Sequence, residues 1–85
     1  MRKVKAYLLS TCPWCKKTKR FLDANGVDYE YEYVDLLTGG EKDRVMSEVQ
    51  QWNPRRSFPT VVVSNDRTEV VIGFTEHRLR EVLGL

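Results

Sequence analysis

The chain has little with which to cross-link itself, hold a metal or enter a membrane. It contains two cysteines and one histidine in 85 residues, and the cysteines, Cys12 and Cys15, stand only three positions apart. A disulfide between them closes a very short loop, worth about 2 kcal/mol by the chain-entropy relation against ~3 kcal/mol for a loop of 15 residues, so the pair makes a poor structural staple. A tetrahedral zinc site asks for four ligands, and Cys12, Cys15 and His77 supply three at most; no metal is expected. No apolar run approaches the ~20 residues that span a bilayer. Val4-Lys5-Ala6-Tyr7-Leu8-Leu9, which follows Met1-Arg2-Lys3, is too short and too charged for the core of an export signal, so a cytoplasmic protein that does not enter membranes is expected. A large charge of one sign is missing too. The formal net charge is +2, which argues against a nucleic-acid binder held by its overall field, and no basic, aromatic-bearing binding motif is present. Repeats and low-complexity segments are absent.

What is there suits one soluble domain over 1–85, expected as a monomer. Apolar residues make up 41% of the chain and charged residues 31%, and a domain of this size buries roughly 60 to 65% of its unfolded surface, enough for one modest core. Val4 to Leu9 reads as a central strand ending where Ser10-Thr11 begins turn chemistry. From Pro13 to Ala24 the spacing is helical, with Thr18, Phe21, Leu22 and Asn25 on related faces and Asn25-Gly26 as a stop that tolerates left-handed geometry. Val27, Tyr29, Tyr31 and Tyr33 alternate with Asp28, Glu30 and Glu32, a period of two that predicts an edge strand with one face in the core and one in water. Thr38-Gly39-Gly40 breaks the chain, and Val45, Met46, Val49 and Trp52 then recur at helical spacing until Asn53-Pro54 stops them; Trp52 is expected in the core. Phe58 to Val63 and Glu69 to Ile72, joined by Ser64-Asn65-Asp66-Arg67, predict a hairpin that Gly73 ends. Thr75 is placed to cap a last helix whose Leu79, Val82 and Leu83 lie on the sheet. The order is βαβαββα: a parallel pair with a right-handed crossover, then an antiparallel hairpin and a covering helix. An α/β fold of the thioredoxin-like type follows, with a four-stranded mixed sheet flanked by three helices.

The chemistry sits in Thr11-Cys12-Pro13-Trp14-Cys15-Lys16-Lys17, where a strand ends and a helix starts, the context that makes a CxxC pair informative. Cys12 falls at the N-cap, and Pro13 takes the first helical position, where its missing N–H costs nothing. A thiolate at Cys12 faces the unpaired N–H groups of the first turn, which with the helix dipole stabilise it by about 0.3 to 2 kcal/mol. Lys16, Lys17 and Lys19 are expected to lower its pKa further. Cys15, about one turn along, is expected to be less exposed and harder to ionise, so Cys12 attacks and Cys15 resolves. If the Cys12 pKa fell from ~8.5 to ~6, the thiolate fraction at neutral pH would rise roughly 30-fold while intrinsic nucleophilicity fell about 10-fold. The net gain in attack is a few-fold; the larger consequence is a better leaving group when Cys15 attacks the mixed disulfide, and a more oxidising couple.

Cys12-Pro13-Trp14-Cys15, with Ser57-Phe58-Pro59-Thr60 and Gly73-Phe74 further along, resembles the glutaredoxin family over nearly the whole chain. The first motif is one aromatic swap from that family's C-P-Y-C, the second occupies the place of its T-V-P segment, and the third stands where it carries a glycine pair. The resemblance implies a cis bond before Pro59, with Pro59 facing the active cysteine and Phe58 offering backbone groups to substrate. It implies a substrate contact for Trp14, a glycine-carboxylate contact for Arg55 or Arg56, and contacts to a γ-glutamyl end from Thr75 and Glu76. No resident cofactor is implied; glutathione enters as a co-substrate. Two departures point away from efficient glutathione use: Ser10-Thr11 stands where many family members carry a lysine, and Phe74 adds bulk in place of a second glycine. Gly73-Phe74 is similar to the redoxins that serve ribonucleotide reductase and draw electrons from a reductase protein. The expected function is a dithiol-disulfide oxidoreductase acting on disulfide-containing proteins or mixed disulfides, with glutathione or a reductase protein as donor. The alternative is a dimeric module holding an iron-sulfur cluster through Cys12 and two external thiols, against which the rigid Pro13 argues. Lys16, Lys17, Lys19 and Arg20 fit either a solvated helix face or a docking face for acidic partners, and His77 reads as an exposed first-turn residue.

Overall fold

The computed structural model describes residues 2–85; Met1, part of the charged N-terminal segment, lies outside them. The strand expected at the centre of the sheet is there. β1 (Lys3–Leu8) pairs in parallel with β2 (Glu30–Tyr33) on one side and antiparallel with β3 (Thr60–Ser64) on the other, and β3 pairs antiparallel with β4 (Thr68–Ile72), giving the order β2-β1-β3-β4. The parallel pair requires a crossover, and α1 (Pro13–Ala24) supplies it. α2 (Gly39–Trp52) and α3 (Glu76–Leu83) complete the expected βαβαββα order.

Alternation along β1 divides the core between the two faces of the sheet. Val4, Ala6 and Leu8 pack with Val61, Val63 and Val71 under Phe21 and Leu22 of α1 and Leu79 and Leu83 of α3. Tyr7 and Val62 point the other way, onto Val34 and onto Val45 and Val49 of α2. α1 and α3 thus share one face and α2 covers the other. Trp52 is half-buried at the edge of the second cluster rather than at its centre.

The helix boundaries follow the local chemistry. α1 starts on Pro13 as expected, and its end is a Schellman closure: Gly26 takes φ +64°, its N–H donates to Asp23 O, and Val27 N–H reaches back to Leu22 O at 3.0 Å. The left-handed residue is Gly26 and not Asn25, which keeps φ −95°. The glycine pair Gly39-Gly40, expected as a break, forms the first residues of α2, and Gly39 turns the chain into the helix at φ +59°. At α3 Thr75 is the N-cap residue, but its hydroxyl makes no capping hydrogen bond.

Four strand expectations need correction. The ladder of β3 begins at Thr60 and not at Phe58, because Pro59 has no N–H to give a ladder; its carbonyl instead accepts from Gly73 N–H at 2.8 Å. Leu9 lies beyond the end of β1, and β4 starts one residue earlier than expected, at Thr68. The tyrosine strand is shorter than its alternation suggests, and a 3-10 turn at Val34–Leu36 follows it. Its tyrosine face is only partly in the core: Tyr29 and Tyr33 lean on the first cluster, but Tyr31 is 44% exposed. β2 is an edge strand, so the tyrosines stack on one another, with ring centroids 5.9 and 5.3 Å apart, and Lys19 Nζ sits 4.9 Å from the Tyr31 ring.

Leu79 is fully buried and is, with Leu83, a residue through which α3 meets the sheet. Leu79→Ala should therefore lower the unfolding free energy by about 2 to 5 kcal/mol in denaturant titration. A loss under about 1 kcal/mol would mean that α3 does not complete the first core cluster.

Candidate redox site

The site is built at the junction between β1 and α1. Cys12 is the N-cap of α1, and its Sγ accepts from Cys15 N–H at 3.4 Å. Its own N–H donates to Leu9 O at 3.3 Å. Pro13 takes the first helical position, and Cys15, one turn on, is 1% exposed, with Leu9 N–H donating to its Sγ at 3.4 Å. Both cysteines are free thiols, Cys12 half-buried and Cys15 buried.

This asymmetry separates their ionisation. Partial burial is the largest single influence on Cys12 and opposes its charge, but hydrogen bonds from the Cys15 thiol and from the Cys15 and Trp14 N–H groups outweigh it, so the thiol titrates below its ordinary value. The lysines expected to contribute are not among the causes; the first turn of the helix lowers the Cys12 pKa without them. Burial first, then the hydrogen bond and charge of Cys12, push the Cys15 thiol up to about 12 against the opposing Leu9 N–H.

Two residues with no expected part in the site shape the surroundings. Asp35, in the 3-10 turn after β2, accepts from Ser10 N–H at 2.8 Å and from Ser10 Oγ at 2.5 Å, tying the chain before Cys12 to the neighbouring strand. The Ser10 hydroxyl and N–H together hold the Asp35 carboxyl below its usual range. Asn53 does more than stop α2. It is 1% exposed, and its Nδ2 lies 3.0 Å from Ser57 O, 3.0 Å from Ser57 Oγ and 3.1 Å from Thr60 Oγ1, while its Oδ1 accepts from Arg55 N–H at 3.2 Å. The amide is the hub of the loop that delivers Phe58 and Pro59. The only signal in the sequence was an asparagine before a proline, with hydroxyl residues four and seven positions on.

Phe58 packs against the core cluster to which Cys12 and Cys15 belong, and the bond between Phe58 and Pro59 is cis, as the resemblance implied. With Trp14, Gly73, Phe74 and Thr75 they line a cleft of about 260 Å³. Trp14 is 56% exposed and stacks on Phe74, with centroids 6.5 Å apart and planes 20° from parallel. Phe74 also meets Phe21 edge-on at 6.0 Å. Of the residues expected to contact substrate, Trp14, Phe58, Pro59 and Thr75 are thus brought together. Arg55 and Arg56 stay exposed on the preceding loop, Arg56 at φ +53°, and neither lines the cleft. Glu76 faces away from it as well, paired with Arg80 at 3.1 Å.

Residues 4–68 match the protein family described as Glutaredoxin. The chain belongs to the glutaredoxin family. Glutaredoxin from Neisseria meningitidis is 31% identical over 86 residues, covering all of this chain and 93% of that protein. Among solved structures, methanoredoxin from Methanosarcina acetivorans superposes with a TM-score of 0.89 at 46% identity, covering 98% of this chain and 85% of that one. Glutaredoxin from Archaeoglobus fulgidus superposes with a TM-score of 0.87 at 40% identity, covering 98% of this chain and 87% of that one. The family makes this chain a thiol-disulfide oxidoreductase in general terms, and it carries that fold with a cysteine pair at the start of α1. Among the described residues no helix of this glutaredoxin is long and apolar enough to cross a membrane.

Two measurements test the site. Only the thiolate is nucleophilic, so a depressed pKa moves the rise of alkylation rate to lower pH: iodoacetamide should modify Cys12 with a midpoint below that of an ordinary cysteine thiol and leave Cys15 unmodified across the same range. A midpoint at or above that of a free thiol would refute the hydrogen-bond assignment. Asn53→Ala takes a donor from the buried Thr60 hydroxyl and from the Ser57 carbonyl and hydroxyl, and should cost about 1 to 3 kcal/mol in unfolding free energy, with a raised KM for disulfide substrate. An unchanged KM would show that the loop holds its shape without the amide.

Proposed function

We propose that this glutaredoxin reduces protein disulfides and mixed disulfides through a dithiol cycle, with Cys12 as nucleophile and Cys15 as resolving thiol. The observation that carries this is the contrast between the two thiols: Cys12 is partly accessible and easily ionised, Cys15 buried and protonated. The Cys12 thiolate attacks one sulfur of the substrate disulfide, forming a mixed disulfide and expelling the other sulfur as a thiolate. Cys15 then gives up its proton, to which the departing thiolate is a suitable base, and attacks the Cys12 sulfur. The Cys12–Cys15 disulfide forms and the second substrate thiol leaves, so two electrons pass to the substrate. The cleft formed by Trp14, Phe58, Pro59, Phe74 and Thr75 is the place for the chain that flanks the substrate sulfur, with Phe58 backbone groups as its partners.

The donor that returns two electrons is a reductase protein in preference to glutathione. Phe74, stacked on Trp14, fills space at the cleft where a second glycine would leave it open. Ser10, standing where many relatives have a lysine, is engaged by Asp35. Arg55 and Arg56 remain for a carboxylate, but an exposed charge-assisted contact is worth about 1 kcal/mol or less, which gives weak binding. No resident cofactor enters the cycle, and a cytoplasmic monomer fits its chemistry.

The test is insulin reduction by Cys12→Ser and Cys15→Ser variants, with glutathione and a thioredoxin-reductase system as separate donors. Cys12→Ser should abolish activity, and Cys15→Ser should accumulate mixed disulfide on Cys12, visible by mass spectrometry. The unaltered protein should turn over faster with the reductase than with glutathione. Full activity in Cys12→Ser would overturn the assignment, and a purified protein carrying an iron-sulfur chromophore would favour cluster binding instead.

A further inference from the structure

The positive charge of the chain is concentrated around the proposed nucleophile. α1 holds Lys16, Lys17, Lys19 and Arg20 against one carboxylate, Asp23, while the rest of the chain holds ten cationic residues against eleven acidic ones. Only Lys19 of the four is ion-paired, to Asp23 at 3.2 Å. Among the described residues Lys16, Lys17 and Arg20 make no salt bridge, although most cations elsewhere on the folded elements do, as Lys5, Arg44, Arg78 and Arg80 show. These three exposed side chains, with Pro13 and Trp14, line a groove of about 280 Å³. Trp14 lines both this groove and the cleft beside Pro59, so the two adjoin at its side chain. Lys17 Nζ stands at the join, 5.0 Å from the Trp14 ring and 6.0 Å from the Phe74 ring.

We infer that the α1 face of Lys16, Lys17 and Arg20, with Trp14 as its floor, docks an acidic segment next to the reacting disulfide of a substrate protein. This rests on the proposed action on protein disulfides, which also sets the class of partner, because a disulfide at Cys12 must belong to a chain that carries one. Three unpaired cations on one helix face give a local positive field that the small net charge conceals. An acidic segment entering there neutralises cations that no side chain of this protein neutralises, and Trp14 offers its neighbour an apolar surface. The one carboxylate of α1 does not compete, because Asp23 is held by Lys19 and Tyr29.

The experiment measures oxidation of the reduced full chain by three disulfide-bridged peptides of equal length whose flanking residues are Glu, Gln or Lys. At low salt the Glu peptide should react about tenfold faster than the Lys peptide, with the Gln peptide between. The three rates should converge at roughly 0.5 M salt, where the screening length falls to a few ångströms. Lys17→Gln/Arg20→Gln should flatten the series and leave the Gln-peptide rate within about twofold. Lys3→Gln/Arg67→Gln, which removes the same charge at the opposite end of the sheet, should keep the preference. Equal rates for the three peptides at low salt, or equal loss of preference in both variants, would overturn the docking face and leave the proposed function standing. Failure of every peptide to oxidise the protein would remove the proposed function and the docking face together.

Discussion

The structure depends on one short junction, the passage from β1 into α1, where a helix start and a strand end share their hydrogen bonds. Four N–H groups at a helix N-terminus have no partner within the helix. Here the Cys15 N–H turns to the Cys12 sulfur, while the Leu9 N–H, just past the strand, turns to the Cys15 sulfur. The Cys12 thiol therefore does capping work that oxygen atoms usually do, and the Cys15 thiol satisfies the N–H just past the strand. A side chain that caps by accepting hydrogen bonds is also one whose anion is favoured, so the requirement for a helix start and the requirement for a nucleophile are met by the same atoms. The difference between the sulfurs is burial: Cys12 stands at the edge of the first core cluster and Cys15 within it.

The rest of the fold holds that junction still and brings a second wall to it. Asp35 fastens Ser10 from the side of β2. Asn53 shapes the chain between α2 and β3, and Gly73 at the end of β4 donates to the Pro59 carbonyl. Three separate connections thus meet at the end of the sheet where β1 hands over to α1. Phe74 joins them to the helix by lying between Trp14 and Phe21. The cleft is consequently framed by connections rather than by regular elements, while the two core clusters on opposite faces of the sheet supply the rigidity beneath.

How far the sequence was legible depended on whether the decisive partner was near in the chain. α1 was read to the residue because Cys12-Pro13 and Asn25-Gly26 carry their signals locally, in a proline without an N–H and a glycine free to take positive φ. The first cysteine as N-cap followed from the same signals. The tyrosine strand was overextended because alternation reports which way side chains point and not how much of the neighbouring surface covers them; at a sheet edge the cover runs out at Tyr31. Thr75 was read as a capping side chain on residue type, yet its hydroxyl makes no such bond. Gly39-Gly40 looked like a break, but a glycine with φ +59° can equally begin a helix.

By itself the sequence determined the element order, the apolar faces that form two clusters, and the chemical asymmetry of Cys12 and Cys15, because each rests on contacts within a turn or on strict periodicity. Only the tertiary structure decided which distant residues meet at the thiols. It brought Thr75 into the cleft and left Glu76 outside it, and it kept Arg55 and Arg56 on an exposed loop. It made Asn53 a buried hub and put Asp35 on Ser10, 25 positions away. It also set the Cys15 and Trp14 N–H groups and the Cys15 thiol where they favour the Cys12 thiolate. The reason is that a hydrogen bond or an ion pair requires atoms within a few ångströms of one another, and between residues far apart in the chain that separation is set by how the strands register and the helices pack.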